Sequence, residues 1–322
     1  MDVFKKGRLR KAEIYRWLCA LRSRSYVPES GYAVAAVFRV KSAGADDCYF
    51  AGVNVENVDH RLSTHGEEGA ISAIVTALGK NAKIAEGWVM GAPRHVRAGD
   101  NGIEADHFAS CCGKCRQQIA GMSSPRAKIH YMSLNGAVET TTVGKFLPEP
   151  FVFDAFISGL AGSLVKDKGI SLAAGRKKLL RKGPCTDKQI SGWLKSLESV
   201  DYATHISQSV VLKLDNGHYV AGTRVEDVAF IDISSAQAAV AVAAAAFGAF
   251  KIEGAWVYTR GRDKKNLPAQ ATGLLPLSAL QVLSEFAKNK KTPIRFLRDK
   301  GTPVKKTLAA AVAVAPVKSQ KK

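Results

Sequence analysis

Two apolar, β-prone runs, Tyr32 to Val40 and Cys48 to Val53, flank the polar loop Lys41-Ser-Ala-Gly-Ala-Asp-Asp47 and predict a strand pair. Ile71, Ile74, Val75 and Leu78 then recur at i, i+3, i+4 and i+7, the spacing of an amphipathic helix. Ile84 to Met90 predicts a further strand. A long polar, Gly-containing loop follows, then a second short helix in which Cys115, Ile119 and Met122 share a face. Strands alternating with helices imply an α/β layer sandwich.

The pattern occurs twice. Phe50-Ala-Gly-Val-Asn-Val-Glu-Asn-Val58 returns as Val220-Ala-Gly-Thr-Arg-Val-Glu-Asp-Val228, 170 residues later. At that offset the small-residue helix Gly69 to Leu78 matches Ala239 to Gly248; at 168 residues, Ile84 to Met90 parallels Ile252 to Tyr258, each with an internal tryptophan. A duplicated domain is the simplest account. The expected division is a basic N-terminal arm or helix (1–24), a first domain (25–160), a basic linker (161–190), a second domain (191–300) and a disordered basic tail (301–322). In the second copy the Ala-rich stretch from Ala236 to Ala246 predicts a close-packed interface helix.

Composition narrows the class. With 322 residues, about two domains are expected, and 46% apolar residues suffice for sizeable cores. The longest apolar stretch falls short of the ~20 residues of a membrane span. Met1 to Ser25 is broken by cations and lacks a secretory leader, so reduced cysteines and a cytoplasmic location are expected. The net charge of +19 suggests a polyanionic partner, yet it concentrates at the periphery: residues 1–24, 166–188 and 288–322 carry +6, +6 and +10. Solvated, non-specific charge is the favoured reading, with nucleic-acid binding through the basic segments as the alternative.

Two short motifs carry chemistry: His65-Gly66-Glu67 at one predicted helix start and Cys112-Gly113-Lys114-Cys115 at the other. One imidazole and two thiolates suit Zn²⁺ and leave a fourth position for water. A helix N-terminus favours thiolate over thiol. Glu67, two residues from a ligand, is placed to act as acid and base on that water. A lone Cys-x-x-Cys also fits a redox pair or buried thiols, and a lone His-x-Glu a solvated helix start. Together, at this separation, they make the signature of zinc-dependent nucleobase deaminases. A closed structural site would need a fourth ligand, from Cys111 or His107.

On Tyr26-x-Pro28-x-Ser30, Gly52-x-Asn54-Val55-Glu56-Asn57, His65-Gly66-Glu67, Cys112-Gly113-x-Cys115-Arg116-Gln117 and Leu147-Pro148, the chain resembles the cytidine deaminase family, in its form with a catalytic domain followed by a degenerate copy. The resemblance implies a three-layer α/β/α sandwich, duplicated, with one Zn²⁺ per chain on His65, Cys112 and Cys115 and Glu67 as proton shuttle. It implies ribose contacts from Asn54 and Glu56, Tyr32 where the family usually stacks a Phe on the base, and Gly66 where Ala is usual. The implied activity is hydrolytic deamination of free cytidine or deoxycytidine, with release of ammonia, in pyrimidine salvage by a homodimer. A polynucleotide C-to-U deaminase and a catalytically retired, RNA-associated subunit are the alternatives. Cys111 replaces the usual Pro, and the long connection from Met90 to Ser110, with Arg94, His95, Arg97, Asp106 and His107, is a candidate lid. The second copy is expected to place Ser235 and Gln237 where His65 and Glu67 would repeat, so no second zinc site is expected.

Overall fold

The computed structural model describes residues 3–40, 47–79, 82–151, 172–199, 206–227, 229–261, 275–297 and 303–313. These build two six-stranded mixed sheets of one topology. In the first, β1 (Phe4–Lys6), β2 (Tyr32–Val40), β3 (Cys48–Val53), β4 (Ile84–Pro93), β5 (Ser123–Met132) and β6 (Val138–Thr142) lie in the order β1-β3-β2-β4-β5-β6. In the second, β7 (Leu180–Lys182), β8 (Ile206–Leu214), β9 (His218–Thr223), β10 (Ile252–Gly261), β11 (Pro293–Leu297) and β12 (Val304–Thr307) repeat it as β7-β9-β8-β10-β11-β12. The parallel pairs, β4 with β5 and β10 with β11, are equivalent, and the other ladders are antiparallel. The fold is α/β and duplicated, as the sequence predicts.

In the first copy α1 (Lys11–Arg22) covers the outer face of the sheet, while α2 (Gly66–Leu78) and, after the short α3 (Ile103–Asp106), α4 (Gly113–Gly121) cover the inner face. A one-turn α5 (Val143–Phe146) follows β6. The second copy adds α6 (Leu172–Leu179), an outer helix α7 (Asp187–Lys195), inner helices α8 (Ser235–Phe247) and α9 (Leu277–Phe286), and a terminal α10 (Leu308–Ala313). Each copy is a three-layer sandwich, and the inner layers meet where α2 packs on α8. The alanine-rich α8 is buried on every side from Ser235 to Ala246, as a helix apolar all round must be. The interface that its composition predicts therefore lies within the chain. Thr76 Oγ1 accepts from the Thr223 backbone N–H at 3.1 Å across this seam, and Arg24 donates to the Ala245 carbonyl at 2.6 Å.

One contact repeats in both copies. A Cβ on Gly52 would lie 2.1 Å from the Ala70 nitrogen, and one on Gly222 would lie 2.2 Å from the Ala239 nitrogen, so each glycine lets the inner helix press on its strand. Backbone cannot yield as a flexible side chain does. Gly222→Ala is expected to cost about 1–3 kcal/mol, read as a lowered denaturant midpoint; an unchanged midpoint would contradict this packing.

In their described parts, the segments expected as arm or helix, linker and tail hold elements of the two copies. Ile14, Trp17, Leu18 and Leu21 bury one face of α1, and Ile190, Trp193, Leu194 and Leu197 bury the same face of α7 and its end. Each such side chain contributes roughly 1.5–3 kcal/mol over its exposed state. Lys5 lies 4.5 Å from the Trp17 ring and Arg181 lies 4.2 Å from the Trp193 ring, so even the cations of β1 and β7 correspond. Residues 304–307 of the expected tail pair with β11, and Leu308–Ala313 is helical. Residues 161–171 of the expected linker and 301–302 and 314–322 of the tail lie outside the described residues. Among the described residues, no helix is long and apolar enough to cross a membrane.

Candidate metal centre

Two helices deliver the site. His65 is the residue before the first turn of α2, Cys112 holds the same place before α4, and Cys115 lies one turn into α4. The helix α2 packs on β2 and β3, and α4 packs on α2 and β5. His65 Nδ1 is 3.3 Å from Cys112 Sγ and 3.4 Å from Cys115 Sγ, and the three donor atoms fall within 4.8 Å of one another. A tetrahedral Zn²⁺ with bonds of ~2.3 Å to sulfur and ~2.0 Å to nitrogen needs N–S edges of about 3.6 Å, so the donor set fits zinc. Cys115 is fully buried and Cys112 is exposed, which leaves the cluster open on one side.

The electrostatics agree. The Cys112 thiol is pushed down to about 3, chiefly because its thiolate accepts a hydrogen bond from Cys115 and further from His65, whereas the shared proton holds Cys115 well above the usual thiol range. His65 is raised by its hydrogen bond to Cys112. Glu67 is 4% exposed, and burial pushes its carboxyl up. Cys111 does not join the donor cluster among the described residues. Its buried thiol lies between Glu67 and Tyr131 and is pushed far up by burial. His107 is likewise outside the cluster, so the described residues gather three donors and no fourth.

The expected substrate residues gather around the same helix start. Asn54 Oδ1 accepts from the Val34 backbone N–H at 2.8 Å and Asn54 Nδ2 donates to the Tyr32 carbonyl at 2.8 Å. Much of its bonding capacity therefore goes to fixing the start of β2. Glu56 Oε2 accepts from the backbone N–H groups of Glu29 and Ser30, at 2.9 and 3.1 Å; its Oε1 has no partner among the described residues. A Cβ on Gly66 would come within 3.0 Å of Val34 Cγ1. Glycine at this position is thus explained by the valine that faces it. Tyr32 stands over Gly91, whose Cβ would meet its ring at 3.0 Å.

Glu68 is a residue that the sequence reading missed. It is 1% exposed. Its Oε2 accepts from the His65 backbone N–H at 2.9 Å, and its Oε1 meets Lys114 Nζ at 2.8 Å and Gln118 Nε2 at 3.1 Å. It therefore ties the two ligand-bearing helix starts together. Gln118 also donates to the Ile231 carbonyl at 2.7 Å, which anchors α4 to the second copy. The available signal was a Glu three residues after a helix-preceding His, the reciprocal half of a capping box. Glu68→Ala is expected to weaken zinc binding about 10–100-fold, as loss of outer ligand support does, measured by competition with a chromophoric chelator. Undiminished affinity would leave Glu68 a purely structural cap.

The long connection is a strap held by side chains remote in sequence. Arg22, 8% exposed, donates to the carbonyls of Ala92 at 3.1 Å and Pro93 at 2.9 Å, and also to that of Val96. Asn135 takes the Gly99 N–H at 3.1 Å and donates to Asp106 at 2.8 Å, and Leu134 N–H donates to the Ala105 carbonyl at 2.9 Å. The second copy's corresponding site is closed by its own side chains. The start of α8 shows that Ser234 and Ala236, not Ser235 and Gln237, align with His65 and Glu67. Arg224, in the place of Asn54, pairs with Glu226 at 3.0 Å and Asp232 at 2.6 Å.

No family model matches the chain. It is 27% identical over 130 residues to a cytidine deaminase of Sporosarcina psychrophila, which covers 40% of this chain and 82% of that one. It is 27% identical over the same length to a cytidine deaminase of Halalkalibacterium halodurans, covering 40% and 85%. Among solved structures, a cytidine deaminase from Burkholderia pseudomallei aligns at 24% identity over 44% of this chain and all of that one, with a TM-score of 0.36. One from Mycobacterium leprae aligns at 24% identity with the same coverages and a TM-score of 0.34.

Proposed function

Because this chain belongs to the cytidine deaminase family, we propose that it converts free cytidine and deoxycytidine to their uridine counterparts, consuming water and releasing ammonia. The observation that carries this reading is the convergence of His65 Nδ1 with the sulfurs of Cys112 and Cys115 beside the buried carboxyl of Glu67. Zinc bound to these three side chains would supply a Lewis acid that lowers the pKa of a water to ~7.

The chain's own residues do the rest. Glu67 takes a proton from the attacking water and delivers it to N3 of the pyrimidine, which makes C4 electrophilic. It then takes the remaining proton from the new C4 hydroxyl and passes it to the departing amine, so that C4 exchanges its C–N bond for a carbonyl and ammonia leaves. Burial of Glu67 favours this traffic by raising its affinity for a proton. Glu56 offers its unpartnered Oε1 to a ribose hydroxyl, with Oε2 anchored on two backbone N–H groups. Tyr32 faces the base, and Asn54 orders the strand that presents it.

A phosphate in place of that ribose hydroxyl would set a second negative charge against Glu56. The basic segments that motivated a polynucleotide substrate are, in their described parts, elements of the folded copies. Free cytidine and deoxycytidine are therefore expected to be deaminated and a cytidine-containing oligonucleotide spared, in an absorbance assay; the reverse order would overturn the substrate assignment. The homodimer belongs to the same proposal. Val58, Ile103, Phe151 and Phe230 are exposed at 78, 86, 52 and 85% and offer apolar surface for pairing. Light scattering is expected to give twice the single-chain 34.5 kDa; the single-chain mass would contradict it.

A further inference from the structure

The outer face of the first sheet carries a cavity of about 660 Å³ beside the start of α1, away from the metal ligands; its lining includes Arg8, Lys11, Trp88 and His130. That volume lies within the ~300–1,000 Å³ of small-molecule sites. Trp88 is 8% exposed, and its indole N–H has no hydrogen-bond partner among the described residues. Arg39 holds both carboxylates of the lining, meeting Asp47 and Glu86 at 2.9 Å each, so Arg8 and Lys11 have no acidic partner among the described residues.

The second copy answers what belongs there. Trp256 is the counterpart of Trp88: it packs on Tyr219 at 6.0 Å as Trp88 packs on Tyr49 at 6.1 Å. It is also the register partner of Arg295, as Trp88 is of His130. In that copy the indole N–H donates to Asp187 Oδ1 at 2.9 Å, and Arg295 lies 3.9 Å from the other carboxylate oxygen. Asp187 is the first residue of α7, and the first residue of α1 is Lys11. Where the second copy supplies its own carboxylate, the first supplies a cation and leaves the indole donor unmatched.

We propose that this cavity binds a small-molecule oxyanion, a carboxylate or a phosphate monoester, which sits where the Asp187 carboxylate sits in the second copy. The oxyanion accepts from the Trp88 N–H and is balanced by Lys11 and Arg8. The site is separate from the deaminase centre, and its fate does not depend on that assignment.

The test is NMR of the four indole N–H groups in ¹⁵N-labelled protein, titrated with inorganic phosphate and, separately, acetate; Trp88→Phe assigns the resonance. The Trp88 signal is expected to move saturably with at least one anion while Trp256 stays in place. Movement with phosphate alone identifies a phosphate ester as the ligand class, movement with acetate alone a carboxylate, and movement with both an oxyanion site that accepts either. Lys11→Asp installs the second copy's carboxylate. It is expected to shift the Trp88 signal before any anion is added and to weaken anion binding about tenfold or more. Should that variant fail to fold, judged by the other indole signals, Arg8→Ala is expected to weaken binding in the same titration. A Trp88 signal unmoved by either anion, or full-strength binding in the folded variant tested, overturns the proposal.

Discussion

Glu67→Gln is expected to leave the protein folded and zinc-loaded while lowering kcat on cytidine by about 10⁴-fold, the upper end for a single acid–base residue, because the same carboxyl serves in two proton transfers. The substitution is nearly isosteric. Glutamine keeps the volume and can still meet the Cys111 thiol, but it can neither take a proton from water nor return one to nitrogen. Glu67 is buried beside the ligand cluster, so no bulk solvent stands ready to replace it. The check is a steady-state absorbance assay alongside zinc content. A variant that binds zinc normally and retains more than about a tenth of the wild-type rate would remove Glu67 from the chemistry.

The second large effect concerns the ligands. Cys115→Ala is expected to weaken zinc binding by more than the 10–100-fold that loss of an outer support causes, and to abolish activity at stoichiometric zinc. Only His65 and Cys112 would remain. The loss reaches beyond the metal, since Cys115 stabilises the Cys112 thiolate through a hydrogen bond. In the variant the Cys112 pKa is expected to rise from about 3, so that a thiol-specific reagent at pH 5 modifies Cys112 more slowly than in metal-free wild type. Equal rates would show that the pairing of the two sulfurs does not set the Cys112 charge.

What the sequence revealed and what it concealed have separate physical causes. Tyr32–Val40 and Cys48–Val53 form strands with the predicted limits, because both runs are apolar on the two faces of a sheet covered by helices on each side. His65, Cys112 and Cys115 were legible as a donor cluster because a metal site would demand particular residue types at helix starts. The extent of the duplication was not. Its separation is 176 residues at the outer helices, which begin at Lys11 and Asp187, and 169 at the inner ones, which begin at Gly66 and Ser235. Connections of different length shift the register, so a fixed offset of 170 finds the middle of each copy and misses the ends.

Charge misled at those ends as well. Counting cations set residues 1–24 and 161–190 apart as a basic arm or helix and a linker, yet Trp17 is buried with the Lys5 stem over its ring, and Arg181 lies over the Trp193 ring. Glu68 escaped notice for a related reason: a carboxylate next to Glu67 at a helix start looks like ordinary dipole compensation. Its joint hold on His65, Lys114 and Gln118 exists only once two helix starts 47 residues apart are brought together. The strap from Met90 to Ser110 was similarly opaque, since its anchors, Arg22 and Asn135, are remote in sequence.

The most direct measurement is to titrate metal-free protein with zinc and follow bound metal and cytidine turnover in the same samples. Activity should rise in proportion to bound zinc and level off at one equivalent per chain. Protein that carries its full equivalent of zinc and leaves both cytidine and deoxycytidine unchanged would contradict the account.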